Sequence, residues 1–451
     1  MTRSLFVEPA CGHSREKDAA TRRAGCPTPK PGEAAGGCAF DGAMITLVPV
    51  TDAAHLVHGP IGCAGNSWNA RGSHSSGPTL FRRGFTTDLG EQEVIFGGEQ
   101  RLFDAIGEIA ARYQPAAIFV YSTCVTAMTG EDLDAVCAAA ATRTGLPVIA
   151  VPAPGFAGSK NFGNRLAGQV LLDQVIGTAE PALRTPLDVN LVGEYNIAGE
   201  LWDVTPVLSR IGLRVLACVT GDARYRDLAC AHRAAATMVV CSRALLGLAR
   251  GLEQRYGIPW FEGSFYGVRA MGDSLRQFAR LLADASPGLV ERTEAVIAIE
   301  EAGVAEAMAG YRSRLAGARA VLYTGGVKSW SMVAALQDAG VEVVASGGTK
   351  STPADVDRIR ELLGPGGQVI TNGTPAELLR IAHETRADLL VAGGRNQYTA
   401  LKARLPFLDV NQERHLPFAG YRGAVELARQ VELTLTNPVW RTVTAPAPWE
   451  R

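Results

Sequence analysis

No stretch of the chain approaches the roughly 18 consecutive apolar residues that a membrane-spanning helix needs, and the opening MTRSLFVEPACGHS has no apolar core of a secretion signal. The chain is therefore expected to be soluble and cytoplasmic. It also lacks an excess charge of either sign, with 44 basic residues against 45 acidic ones and a formal net charge of -1. That balance gives no global pull toward nucleic acid or anionic lipid, and neither is expected as a partner. Nucleotide fingerprints are missing as well. No G-x-G-x-x-G occurs, and GGTKST (347–352) lacks the upstream glycine of a Walker A loop. H-E-x-x-H, G-x-S-x-G and C-x-x-C are absent, which removes the simplest metallohydrolase, serine hydrolase and zinc-ribbon readings.

At 451 residues, the chain has room for about three domains. Glycine is plentiful, at 50 residues, so many tight turns are expected. Residues 1–37 mix charge with small residues and end in PTPKPGEAAGG, which reads as an N-terminal arm that cannot bury enough apolar surface to fold alone. Beyond it, short Val- and Ile-rich runs reach Gly, Ser or Pro and give way to helical patterns, the signature of parallel α/β units. The candidate strands are AAIFVYS (116–122), PVIAVPA (147–153), VNLVGEY (189–195), RVLACVTG (214–221), TMVVCS (237–242), AVLYTGG (320–326), VEVVASG (341–347), QVITNG (368–373) and DLLVAGG (388–394). Their nearly continuous hydrophobicity suits strands covered on both faces.

Helix punctuation is also legible. Thr374 is placed to cap a helix with Pro375 in its first turn and Glu377 at the capping-box position, and Thr352 and Gly364 bracket another. Leu102, Ile106, Ile109 and Tyr113 form one apolar stripe over 101–113. The Ala- and Glu-rich stretch 289–316 reads as a connecting helix, and TAEPALRTPLD (178–188) as a break. The expected units are 38–185, 186–316 and 317–451.

Nine cysteines is an odd count, spread thinly, so a disulfide framework is the wrong model. Three of them sit in turn-like places among small residues. Cys38 follows Gly36 and Gly37, Cys63 lies between Gly62 and Gly65, and Cys124 comes just past a strand. Ligands collect beyond the carboxyl ends of parallel strands, and glycines let a bulky inorganic group approach the backbone. Thiolates are the ligands of iron-sulfur clusters, but a 4Fe-4S cluster takes four. The fourth would come from elsewhere in this chain or from a partner chain. The competing reading is three separate buried thiols, because separations of 25 and 61 residues match no short metal motif. Cys241 ends one strand and opens a helix, where partial positive charge favours thiolate. It reads either as a single-point metal ligand or as a packed strand-end cysteine. Cys137, Cys218 and Cys230 read as core residues, and Cys11 and Cys26 lie on the arm. Arg71, Lys160, Lys328 and Arg395 occupy Gly- or Ser-rich loops suited to gripping an anion, although each alone also suits a solvated surface.

CAFDGA (38–43), HLVHGPIGCAGNSW (55–68), FTTDLGEQEVIFGGEQRL (85–102) and YSTC (121–124) resemble the α-type subunits of nitrogenase component 1. GEYNIAGELW (193–202), FEGSFYG (261–267), LYTGGVKSW (322–330), AGGRNQYTALKARLPFLDVNQER (392–414) and FAGYRG (418–423) are similar to the branch of that family that assembles the iron-molybdenum cofactor. The resemblance runs from residue 26 over nearly the whole chain.

The resemblance implies three Rossmann-like, doubly wound parallel-sheet domains in an α/β chain. It also implies an α2β2 heterotetramer with the homologous partner NifN. Cys38, Cys63 and Cys124 match the family cysteines that hold a 4Fe-4S cluster at the subunit interface, with NifN supplying the fourth ligand. Cys241 in MVVCSRALLGLAR matches the position that ligates the large cofactor, and in the assembly branch it is expected to anchor an iron-sulfur precursor. Molybdenum and homocitrate would enter on this platform, delivered by the nitrogenase iron protein. The precursor would come from NifB, and the product would pass to apo-nitrogenase component 1.

Departures from the catalytic branch shape the expectation. Asn411 stands where catalytic subunits place a histidine ligand, with His415 the nearest imidazole, and a carboxamide is a weaker metal ligand. Lys160 and Asn164 stand where catalytic subunits place a glutamine and a histidine. The residues expected near the cofactor are thus Arg71, Lys160, Asn164, Lys328, Arg395, Asn411 and His415, and efficient dinitrogen reduction is not expected. The alternatives are a divergent catalytic α-subunit, a scaffold of a vanadium system, or a plain Rossmann-like nucleotide or sugar binder. Acetylene reduction after reconstitution separates the first from a scaffold, and the last would be iron-free.

Overall fold

A computed structural model describes residues 37–69, 83–240, 242–325, 327–348, 351, 353–370, 373–411, 413–446 and 449. The expectations for Cys11, Cys26, Arg71, Cys241 and Thr352 lie outside the described residues. Among the described residues, no helix is long and apolar enough to cross a membrane.

Among the described residues, thirteen strands form three wholly parallel sheets. The first, ordered β2-β1-β3-β4, uses β1 (Ala54–His58), β2 (Gly84–Thr86), β3 (Ile118–Ser122) and β4 (Val148–Val151). The second, ordered β6-β5-β7-β8, uses β5 (Asp188–Val192), β6 (Arg214–Val219), β7 (Ala236–Val239) and β8 (Trp260–Glu262). The third, ordered β11-β10-β9-β12-β13, uses β9 (Arg319–Tyr323), β10 (Glu342–Gly347), β11 (Gln368–Ile370), β12 (Leu389–Ala392) and β13 (Phe407–Asp409). Every apolar run read from the sequence contains a strand. The three-residue edge strands β2, β8 and β13 are too short to leave a periodic signature. β1 escapes for another reason: its sequence AHLVH carries two histidines, yet every position is buried.

The helices largely follow their punctuation. Thr374 accepts from the Glu377 amide at 3.2 Å, whereas the Glu377 carboxylate reaches one residue past the cap to the Gly373 amide at 2.7 Å. Leu102, Ile106 and Ile109 are buried on the helix Glu99–Tyr113, but Tyr113 is exposed and meets Phe85 edge-on. The 289–316 stretch is a single helix, Leu289–Leu315.

Two large cores cross between sheets. One joins Leu191, Phe265 and Met271 of the middle of the chain to Leu322, Leu336 and Leu427. The other joins Phe40, Met44 and Phe119 to Val192, Val219 and Leu248. A short backbone bridge reinforces the second junction, with the Thr51 amide donating to Ala223 at 3.0 Å and the Ala223 amide to Pro49 at 2.8 Å.

His55 lies in this second region, stacked on Phe119, with Nε2 at 3.1 Å from the Val50 carbonyl and Nδ1 at 2.9 Å from the Tyr121 hydroxyl. The carbonyl can only accept, so Nε2 carries the proton and Nδ1 accepts from Tyr121. Burial lowers the His55 pKa to about 4, only partly opposed by the Val50 carbonyl. The unfolded chain takes up a proton on this ring below about 6.5 while the folded chain does not. Stability is therefore full above about pH 6.5 and falls as the pH drops toward 4, by about 3 kcal/mol at the limit. Urea titrations at pH 7 and 4.5 should show this loss, and His55→Gln should flatten it.

Candidate metal centre

The parallel pairing of β1 with β3 sets His58 opposite Ser122, so the loops that follow both strands emerge side by side. After β1, Gly59 and Pro60 turn the chain into the helix Ile61–Asn69, which carries Cys63. After β3, Thr123 precedes the helix Cys124–Thr129, whose first residue is Cys124. Cys38 arrives from a different direction. It caps the helix Ala39–Leu47 and forms an antiparallel bridge with Ser159, beyond β4. That bridge brings Cys38 to the loop after β4, where Gly155 sits between two sulfurs. A Cβ on Gly155 would lie 3.0 Å from Cys124 Sγ and 3.1 Å from Cys38 Sγ. The Cys63 thiol is held above its ordinary pKa by burial first, then by the proximity of Cys124 and Cys38. Cysteines 25 and 61 residues apart in sequence thus share one place.

Cys38 is exposed, and Cys63 and Cys124 are half-buried. Among the described residues, no neighbouring atom lies within 4 Å of where a Cβ would project from Gly62 or Gly65. Around the thiols, large apolar side chains face outward: Ile61, Phe96, Met128 and Phe156 are 60%, 85%, 79% and 63% exposed. Such a concentration of exposed apolar bulk marks a surface built to be covered.

Beneath the sulfurs, a hydrogen-bonded chain ties the cysteine loops together. The Gly59 amide donates to Thr87 Oγ1 at 3.1 Å, and Thr87 Oγ1 lies 3.0 Å from His58 Nδ1. His58 Nε2 meets the Glu131 carboxylate at 2.5 Å. The other Glu131 oxygen accepts from the Gly98 amide and from Thr129, at the end of the Cys124 helix, both at 3.2 Å. Burial depresses the His58 pKa, with Glu131 opposing.

The donor set suits a thiolate-ligated cluster. Sulfur is a soft donor, the three thiols sit at or near the starts of three separate helices, and glycines surround them. Among the described residues, no three His, Cys, Asp or Glu groups converge on a single ion. A four-iron cluster takes its ligands at separate corners, so spread sulfurs are the appropriate arrangement. The other described cysteines are elsewhere: Cys137 and Cys230 are buried in separate cores, and Cys218 packs against the largest one.

A second polar centre lies where the middle and last sheets meet. Arg414 pairs with Glu200 in the interior, its Nε donating to Oε1 at 2.9 Å, with both side chains almost wholly buried. Arg414 also reaches the Tyr266 hydroxyl at 3.3 Å, and that hydroxyl lies 3.1 Å from Glu194. Lys328 Nζ sits 4.5 Å from the Tyr266 ring centroid and donates to the Val410 carbonyl at 3.4 Å. Burial, aided by Arg414, lowers the Lys328 pKa to about 8. Burial and Glu200 raise the Glu194 pKa.

The remaining expected residues are scattered. Lys160 starts the helix Lys160–Val170 with Nζ 3.9 Å from Asp41, beside the Cys38 helix. Asn164 is buried, and its amide donates to Gly42 O at 3.0 Å and Thr46 Oγ1 at 2.8 Å, which commits it to helix packing. Arg395, Asn411 and His415 are exposed. Asn411 adjoins Gly393, and its carbonyl accepts from Arg414. Gly155, His58, Glu131, Glu194, Glu200, Tyr266 and Arg414 were not singled out as site residues from the sequence. Apart from Glu131 and Gly155, each falls inside a family-like segment, which was the available signal.

Residues 38–436 match the model of the nitrogenase component 1 type oxidoreductases. The chain belongs to the nitrogenase component 1 family. Within it, the chain is 56% identical to the nitrogenase iron-molybdenum cofactor biosynthesis protein NifE of Rippkaea orientalis, over 99% of this chain and 95% of that one. It is 57% identical to the NifE of Klebsiella pneumoniae, over 99% and 98%. A solved structure of nitrogenase Cp1 at pH 6.5 superposes with a TM-score of 0.83 at 28% identity, over 94% of this chain and 93% of that one. The three parallel sheets are those of the component 1 fold.

Proposed function

We propose that this component 1 chain is a scaffold subunit for assembly of the nitrogenase iron-molybdenum cofactor. One observation carries the proposal: the near-full-length match, more than half identical, to proteins named for that biosynthesis. Its working units are residues 38–185 with the interface thiols, 186–316 with Cys241, and 317–451.

Cys38, Cys63 and Cys124 supply three thiolates to a 4Fe-4S cluster, and NifN supplies the fourth across the apolar collar of Ile61, Phe96, Met128 and Phe156. When bound, such a cluster provides an electron-transfer couple. The approach of Cys124 and Cys38 to Gly155, with Cys63 close enough to feel both, supports this assignment. Cys241 holds the cargo, an iron-sulfur precursor delivered from NifB, by one thiolate. Asn411 stands where the catalytic branch of the family has an imidazole ligand, and it offers a weak carboxamide instead. A single strong bond suits a site that must accept molybdenum and homocitrate with the help of the iron protein and then surrender its product to apo-nitrogenase component 1.

In the anaerobically purified complex with its partner, Cys241→Ala is expected to lose the precursor iron while keeping the interface cluster. Iron and sulfide analysis with electron paramagnetic resonance checks this. A full complement of precursor iron in the variant rejects the assignment of Cys241.

A further inference from the structure

Three of the loops that leave the first sheet meet at one carboxylate beneath the thiols. One oxygen of Glu131 takes Nε2 of His58, the fully buried last residue of β1, at 2.5 Å. The other accepts from Thr129, at the end of the Cys124 helix, and from the Gly98 amide, both at 3.2 Å. A carboxylate only accepts, so the neutral imidazole donates from Nε2 and takes the Thr87 hydroxyl proton at Nδ1, 3.0 Å away. Thr87 Oγ1 in turn accepts from the Gly59 amide at 3.1 Å, on the way to Cys63. The two cysteine loops also touch directly, because the Thr126 hydroxyl of the Cys124 helix lies 3.4 Å from the His58 carbonyl. A single side chain thus fastens the loop that leads to Cys63 to the helix that begins with Cys124.

We infer that Glu131, acting through His58, is a positioning residue that holds the Cys63 and Cys124 loops in register for the interface cluster. This rests on the assignment of the three thiols made above. Ligands borne on separate loops hold a cluster only as well as those loops hold each other. Reach, rather than charge, is what the geometry demands of the residue: one terminal atom must meet the imidazole while the other meets Thr129 and Gly98. Aspartate, one methylene shorter, cannot meet both sets from the same backbone position. Glutamine can, once the ring moves its proton to Nδ1 so that Nε2 accepts from the carboxamide N–H.

The test uses the anaerobically purified complex with its partner subunit. The interface cluster is followed by its electron paramagnetic resonance signal after reduction, and by the rate at which a ferrous chelator removes that signal. Glu131→Ala is expected to speed the loss about tenfold, the scale of one buried charge-assisted hydrogen bond, and to broaden the signal that remains. Glu131→Asp should resemble the alanine variant, and Glu131→Gln should stay within about threefold of the parent. The double variant His58→Gln/Glu131→Ala should lose the signal no faster than Glu131→Ala, because the two residues act as one unit. A parent-like signal and rate in Glu131→Ala overturns the inference and leaves the thiol assignment standing. Retention by Glu131→Asp with loss by Glu131→Gln also overturns it, since charge rather than reach would then be what holds the loops. Should Glu131→Ala not assemble, the contrast between aspartate and glutamine decides alone, and equal rates for the two count against the inference. A parent complex with no interface signal overturns the thiol assignment itself, and this inference with it.

Discussion

Cys124→Ala is expected to abolish the interface cluster and release the partner chain. Cys124 is the thiol whose surroundings are most fixed. Its helix is entered from the buried strand β3, and Thr126 accepts from the Thr123 amide at 3.0 Å. Its sulfur meets that of Cys38 over Gly155. On the proposed assignment, alanine there removes one of four thiolate corners and leaves no described side chain to take its place. The apolar collar would then lose the inorganic bridge to the partner. Metal analysis of the anaerobically purified variant should find the interface iron gone, and gel filtration should find the two chains apart. Cys137→Ala is the matched control. Cys137 is buried on the helix Leu133–Thr144, and burial pushes its thiol pKa up to about 12. Its loss should cost about 1 kcal/mol of packing, the ordinary scale for a small core truncation, with iron unchanged. Retention of both iron and partner by Cys124→Ala would remove these thiols from any metal role.

The sheets were legible because their strands are buried on both faces and so read as unbroken apolar runs. β1 was not, because His55 and His58 occupy core positions where only a completed hydrogen-bond set makes a histidine tolerable. The three-cysteine site was legible from its chemistry and flanking glycines, but Gly155 was not. Its importance comes from a backbone bridge between Cys38 and Ser159, a pairing 121 positions apart that no local pattern signals. The second centre was the least legible. Glu194, Glu200 and Arg414 are residue types that ordinarily lie on the surface. Only the packing of the 410–414 segment against the start of the helix Glu200–Arg210 turns them into one buried network. Lys328 was picked out for its loop, but its neighbours Tyr266, Glu194 and Glu200 belong to the middle of the chain. Lys160 and Asn164 were grouped with the cofactor by family position, whereas their described contacts are with the Cys38 helix.

That helix carries the other large expected effect. The helices Ala39–Leu47 and Lys160–Val170 meet backbone to backbone. A Cβ on Gly163 would lie 1.8 Å from the Ala39 carbonyl oxygen, and one on Gly42 would lie 1.9 Å from that of Lys160. Neither obstacle is a side chain that can swing aside. Gly163→Ala must push the helices apart, at about 3 kcal/mol or more for overpacking of this kind. It also strains the Asn164 bonds to Gly42 and Thr46, worth about 1 kcal/mol each. Because Cys38 immediately precedes the displaced helix, its sulfur moves away from Cys124. The variant should therefore unfold at a lower urea concentration and bind less interface iron, although no ligand has been changed. Gly303→Ala is expected to act oppositely. Gly303 lies within the helix Leu289–Leu315, and among the described residues nothing lies within 4 Å of its added Cβ. Alanine at that position gains about 0.5–1 kcal/mol of helix propensity. Two identical chemical changes should thus shift the urea midpoint in opposite directions, and only the one at Gly163 should reach the iron. A Gly163→Ala chain as stable as the parent would mean that the close approach of these two helices does not hold Cys38 in place.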